Sequence, residues 1–555
     1  MRLAPILGTI GTLGLAACGG PTYDVVIRHG TVYDGRGGPG VAADVAIQGD
    51  SIAAIGDLSR AHARSEIEAK GLAVSPGFIN MLSWANEALL VDGRSQSDIR
   101  QGVTLEIFGE GESMGPLTDS MKAEARAGQG DIKFDITWTT LGQYLDALAA
   151  HGVSTNVASF VGAATVRQYV LGHDPRAPTA EELVRMEGLV TDAMKDGALG
   201  VGSSLIYEPG MFATTEELTG LAHAAAEQGG MYISHIRNEN DSLQDAVDEF
   251  LTIAKSSGAR SEIYHLKAAG RPNWDNMDEV IRRVEAARAA GLAITADMYT
   301  YPASATGLDA VMPGWVRAGG FDAWRTRLQE PAVRRRLKAE WRARGGAFVG
   351  SGGPEGVLLA GFKQDSLKQY TGKRLSEVAA LRRTSAEDVA MDLIIADHSR
   401  IECIYFTMSE DNLKKQIVLP WVSFASDASS LAPEGVFLKS NPHPRAYGTF
   451  ARVLGKYTRD ERILTLPEAV RKLSGLPAGN LHLTRRGLLA PGYYADVNVF
   501  DPAEVRDHAT FDQPHQYATG MRQVFVNGVQ VLRDGEHTGA TPGRVVRGAG
   551  AVGVK

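Results

Sequence analysis

Eight apolar stretches, spaced so that amphipathic helical patterns fit between them, constrain this 555-residue chain more than any other feature. They are GFINML (77–82), VTLEIFG (103–109), TNVASFVG (155–162), GALGVGSSLIY (197–207), GMYISHI (230–236), SEIYHL (261–266), LAITADMYT (292–300) and PWVSFASD (420–427). Helical patterns such as TTEELTGLAHAAAEQ and WDNMDEVIRRVEAARAA lie between them. Eight strand-then-helix units predict an α/β fold of the (β/α)8 TIM-like barrel type. The gap between the seventh and eighth stretches is too long for one helix. An insert after barrel strand 7, at about residues 310–395, is expected over the barrel mouth. Period-two patterns near the start (YDVVIRHGTVYDG, ADVAIQGDSIAAIGD) and near the end (YYADVNVFDP, RQVFVNGVQVLRDG) predict β-hairpins. Both chain ends are therefore expected to build one small β-sandwich from residues 19–76 and 488–545, leaving 77–487 for the barrel.

The N-terminus, MRLAPILGTIGTLGLAACGG, has one positive charge, a short apolar stretch and small residues before a cysteine. Leu15-Ala16-Ala17-Cys18 resembles a bacterial lipobox. The expectation is a lipoprotein signal peptide over 1–18, lipid on Cys18, and a membrane-tethered protein of the periplasm or cell envelope. An ordinary signal peptide is the plainer alternative. The only other cysteine, Cys403, is expected to be a buried core thiol, so no disulfide is available. A formal charge of −8 gives no basic footprint, which argues against a nucleic-acid partner.

In such a barrel, reactive groups sit at the C-terminal ends of strands. His235 ends MYISHIRNE and His265 ends EIYHLKAAG, one βα repeat apart, so neighbouring strands bring them together. Asp427 ends PWVSFASDASS, and Glu110 lies just past VTLEIFG. One such histidine alone is more often a hydrogen-bonded loop residue, and Asp427 alone could cap a helix. Two imidazoles with a carboxylate form a good Zn²⁺ site with one position left for water. A further carboxylate can take that water's proton and pass it to a leaving amine.

At these residues the chain resembles the D-aminoacylase (N-acyl-D-amino-acid deacylase) branch of the amidohydrolase superfamily. The matching segments run from about residue 23 to 545 and include GALGVGSSLIYEPGMFATTEEL, YISHIRNE, YHLKAAG, FASD and HPRAYGTFARVLGKY. The resemblance implies a barrel with a side sandwich and one tightly held zinc ion on His235 and His265. In the family a cysteine after strand two completes that site. Here Gly109-Glu110-Gly111-Glu112 stands there, and Glu110 is the expected ligand, with Glu112 as the alternative. The family's His-x-His after strand one serves a second, weaker metal position, but Leu82 and Trp84 replace it, so a second ion is not expected. The resemblance also implies that Asp427 is the acid/base and that Lys267, Tyr299 and Arg445 hold the substrate carboxylate. His443 would orient the loop carrying Arg445. Ala163 and Ala164 stand where relatives have a histidine that contacts the reacting carbonyl.

The expected activity is cleavage of the amide bond of small N-acyl amino acids, D-configured ones first, or of related peptides, by zinc-bound hydroxide with Asp427 as general base and acid. The alternatives are a dipeptidase, a cyclic-amide hydrolase on the same barrel, or a lipoprotein that binds such a ligand without cleaving it.

Overall fold

The computed structural model describes residues 22–552. The segment Leu15–Cys18, on which the expected lipid anchor falls, lies outside them. Eight parallel strands carry the middle of the chain, each on one of the apolar stretches: β1 (Phe78–Asn80), β2 (Val103–Phe108), β3 (Asn156–Ser159, continued by Val161–Gly162) and β4 (Gly200–Ser204). They continue with β5 (Met231–His235), β6 (Arg260–Ile263), β7 (Ile294–Met298) and β8 (Val422–Phe424). The strands β1, β2 and β3 form one parallel sheet. Val161–Gly162 then pairs with β4, and the second sheet runs on in parallel to β8. The last strand comes back to the first: the Met81 amide donates to Phe424 O at 3.5 Å, and Ser83 bridges Ala428 in parallel. Every residue of β2, β3, β4 and β5 is buried, so these segments read as mostly apolar, and the polar residues within them, such as Glu106, Asn156 and Ser234, are buried as well.

Helices cover the outer side, and their starts follow from local chemistry. Thr179 and Glu182 close a capping box on Ala180–Asp196, and the Thr214 hydroxyl accepts the Glu217 amide at the head of Thr215–Glu227. A fully buried ion pair between Arg167 and Glu217 ties helix Ala163–Leu171 to helix Thr215–Glu227. With both charges out of water, Glu217 faces Arg167, whose guanidinium also donates to the carbonyls of Asp174 and Arg176.

The chain ends meet in a nine-stranded sheet. Ala73–Pro76 pairs in parallel with Thr22–Val32 on one side and antiparallel with Val497–Phe500 on the other. Ile27, Val45, Val74, Val497 and Phe525 fill its apolar side. The long connection from β7 to β8 carries a three-stranded antiparallel sheet of Ser304–Gly307, Glu402–Tyr405 and Val357–Gly361, wider than the expected insert at about 310–395. This region has its own core, including Leu308, Trp324, Leu337, Val389 and Cys403. Cys403 is a buried free thiol, as expected. Among the described residues no helix is long and apolar enough to cross a membrane.

Candidate metal centre

The turn after β2 aims Glu110 inward. Gly109 and Gly111 both have positive φ (106° and 74°). A Cβ at Gly109 would lie 2.4 Å from Phe160 O, and one at Gly111 2.0 Å from Ser204 Oγ. Only glycine allows this close approach, and the residue between them is driven into the interior. Glu110 is 3% exposed, whereas Glu112 is solvent-exposed and outside the cluster of Glu110, His235 and His265. His235 closes β5, in register with Ser204 of β4. His265 follows β6 with a φ of 33°, a conformation held by its amide donating to Oδ1 of buried Asp297 at 2.7 Å.

Glu110 Oε1 lies 2.8 Å from His235 Nδ1 and 2.8 Å from His265 Nε2. The three groups are buried, and their ligand atoms all lie within 4.8 Å of one another. Burial opposes ionisation of Glu110, but the imidazoles of His265 and His235 outweigh it and hold the carboxyl well below its usual range. Burial and Lys267 work against a charge on His265, yet Asp427, Glu110 and Glu239 push it up to about 10. So many acidic groups around two imidazoles favour a cation. Two imidazoles and one carboxylate are a zinc ligand set; around the ion their atoms would stand about 3.3–3.6 Å apart, so Glu110 would part from each histidine by roughly 0.5–0.8 Å to hold it.

Asp427 lies beyond β8, its amide bonded to Leu82 O at 2.9 Å and its φ at 50°. Its Oδ1 accepts from Trp84 Nε1 at 3.1 Å, and its Oδ2 meets Arg445 Nη1 at 2.7 Å. Leu82 is fully buried in an apolar cluster with Ile107, Tyr264 and Ala425. The two positions after β1 therefore hold an apolar plug and a hydrogen-bond donor.

Lys267, Tyr299 and Arg445 converge. The Tyr299 ring has the Arg445 guanidinium 4.5 Å and the Lys267 ammonium 5.7 Å from its centroid. Burial pushes the Tyr299 phenol well up, so it stays a donor. Neither cation is idle, since Arg445 meets Asp427 and Lys267 Nζ lies 2.5 Å from Glu239 Oε1. His443 accepts the Arg445 amide on Nδ1 at 3.0 Å and donates from Nε2 to Ala303 O at 3.0 Å. Burial, and then Arg445, hold its imidazole well below the usual range, so it is neutral. Ala163 and Ala164 begin a buried helix, with the Ala164 amide bonded to Gly111 O at 2.8 Å. Neither side chain offers a donor to a reacting carbonyl.

The roles of two further side chains of this centre are not visible in the sequence. Glu239 faces both histidines and Lys267, and its only sequence signal is a place four residues past His235. Trp84 was visible as a missing histidine but not as a donor to Asp427.

A family model described as "Amidohydrolase family" matches residues 421–532. The chain is 33% identical over 532 residues to a D-aminoacylase of Alcaligenes xylosoxydans xylosoxydans, which covers 94% of this chain and 97% of that protein. The chain belongs to the D-aminoacylase family of amidohydrolases. Another member, an N-acyl-D-glutamate deacylase of the same organism, is 34% identical over 527 residues, or 94% of this chain and 96% of that one. Among solved structures, an N-acyl-D-glutamate deacylase from Bordetella bronchiseptica matches with a TM-score of 0.78 at 30% identity. That match covers 95% of this chain and 100% of the other. The Bordetella deacylase was crystallised with zinc and a phosphonate that mimics the tetrahedral intermediate of its reaction.

Proposed function

We propose that this chain is a zinc-dependent hydrolase that releases D-amino acids from their N-acyl derivatives. The observation that carries it is Glu110 Oε1 placed 2.8 Å from inward nitrogens of both His235 and His265. Its family supports the substrate class, because D-aminoacylase and N-acyl-D-glutamate deacylase match it nearly end to end. Glu110, His235 and His265 would hold one ion. Zinc bound there supplies the acidity that ionises water near neutral pH and polarises the amide carbonyl.

The chain's own residues do the rest. Arg445, Lys267 and the Tyr299 hydroxyl bind the substrate carboxylate, with Arg445 able to make two parallel bonds. Asp427 takes a proton from the attacking water as a C–O bond forms at the amide carbon. When the C–N bond breaks, Asp427 returns that proton to the leaving nitrogen, giving a carboxylic acid and a free amino acid. The parallel pairing from β1 to β8 and the return contact at Met81–Phe424 support a closed (β/α)8 barrel over 77–487, with a side sandwich from 19–76 and 488–545. An envelope location with lipid on Cys18 belongs to the same proposal and is supported by the Leu-Ala-Ala-Cys pattern.

The test is zinc content of the purified protein together with turnover of N-acetyl-D- and N-acetyl-L-amino acids, dipeptides and cyclic amides. About one zinc per chain and preferential release of D-amino acids are expected. A metal-free protein, or one that cleaves only cyclic amides, would refute the proposal.

A further inference from the structure

Each histidine of the centre turns one nitrogen to Glu110 and the other outward. The outward nitrogens, His235 Nε2 and His265 Nδ1, face the same side chain. Glu239 Oε1 lies 3.1 Å from His265 Nδ1, and Glu239 Oε2 lies 3.6 Å from His235 Nε2. His235 Nε2 is buried and has no hydrogen-bond partner, so Glu239 is the acceptor within reach. The same Oε1 is 2.5 Å from Lys267 Nζ. Lys267 is 3% exposed, and its ammonium also lies 2.8 Å from His265 Nδ1.

We infer that Glu239 is a positioning residue shared by both zinc-ligand histidines and by the substrate clamp. It fixes the outward N–H of His235 and His265 so that Nδ1 and Nε2, respectively, are free for the ion, and it holds Lys267 until substrate arrives. The inference rests on the proposed zinc site. An imidazole that gives a lone pair to a metal carries its proton on the other nitrogen, and a carboxylate facing that N–H orients the ring and strengthens the donor. An ammonium offers only protons, so Lys267 cannot remain bonded to His265 Nδ1 once that nitrogen carries one. Its place is then with Glu239 or, across the Tyr299 ring, with the carboxylate of a substrate. Glu239 thus links the state of the metal centre to the freedom of the clamp.

The experiment measures zinc affinity of the apo-protein by chelator competition, independent of turnover, for wild type, Glu239→Gln, Glu239→Asp and Lys267→Met. Glu239→Gln is expected to weaken zinc binding by about 10–100-fold. Glu239→Asp should recover part of that loss, and Lys267→Met should bind zinc within about threefold of wild type while raising KM. Histidine ¹⁵N shifts of zinc-loaded wild type, which need no variant to fold, should place protons on Nε2 of His235 and Nδ1 of His265. Wild-type zinc affinity in Glu239→Gln, or the opposite pair of tautomers, overturns the inference and leaves the zinc site standing. Absence of zinc binding in the wild type overturns the underlying proposal instead.

Discussion

The indole N–H of Trp84 donates to Oδ1 of Asp427 at 3.1 Å, while Arg445 meets Oδ2 of the same carboxylate at 2.7 Å. Asp427 is thus held from both sides, by a residue beyond the first strand and by one from the His-Pro-Arg loop. Trp84→Phe keeps the ring and removes the donor. One lost hydrogen bond to a carboxylate is worth about 1.5–3 kcal/mol. A fall in kcat of roughly 10-fold or more is expected, with zinc content unchanged in elemental analysis. An unchanged kcat would show that the indole only fills space.

Asp427→Asn should leave the fold and the zinc intact and lower kcat by about 10²–10⁴, the usual reach of a positioned general acid–base. Steady-state kinetics on an N-acetyl-D-amino acid would check it. Turnover at the wild-type rate would remove Asp427 from the chemistry.

Glu110 distinguishes a metal ligand from a buried acid in an ion pair. Glu110→Gln keeps the shape and loses the charge, and it should lower zinc affinity far more than any change at Glu112, which is exposed and outside the cluster of Glu110 with the two histidines. Glu110→Cys should keep zinc, since a thiolate is as good a ligand for it. Equal zinc binding in Glu110→Gln and wild type would exclude this residue from the coordination set.

The Arg167–Glu217 pair sits with both side chains at or below 1% exposure. Glu217→Ala leaves a buried guanidinium with no counter-charge and only the Asp174 and Arg176 carbonyls, and a loss of about 3–5 kcal/mol is expected in denaturant unfolding. Replacing both residues with apolar ones of similar size should recover much of it. A single variant as stable as wild type would mean that the pair is not coupled.

Burial pushes Lys472 down to about 7, and its ammonium has the Leu419 carbonyl as partner. Its folded pKa lies below the unfolded value of about 10.4, so between the two the unfolded chain binds the extra proton. The contribution of Lys472 to stability therefore rises from pH 7 towards 10.4, by up to about 1.4 kcal/mol per pH unit, and is flat below 7. Lys472→Met should be more stable than wild type at pH 7, with the difference shrinking as pH rises. Urea unfolding across that range reads the difference, and a constant gap would contradict the shift.

The parallel strands were legible because burial on both faces writes them as mostly apolar segments, and their observed ends fall within a few residues of GFINML, GMYISHI and PWVSFASD. His235, His265 and Asp427 were legible because strand ends in such a fold point to one place. Glu110 was harder, because Gly-Glu-Gly-Glu offers two acids, and only the close approach of Gly109 and Gly111 to neighbouring strands separates them. Glu239 was not legible at all. It lies in a loop, and nothing local distinguishes it from the polar residues beside it; its role depends on the direction in which two imidazoles from different strands turn their second nitrogen.

Residues 73–76 pair with 497–500, so an early strand waits for one of the last to be made. During synthesis the first hairpins leave the ribosome with an open edge that nothing covers until residue 500 has emerged. Truncation from the 3′ end of the reading frame would first strip residues 543–552 from Val157 and Gly197 in the middle of the chain, and only a loss reaching residue 500 would bare the edge of the oldest part of the polypeptide.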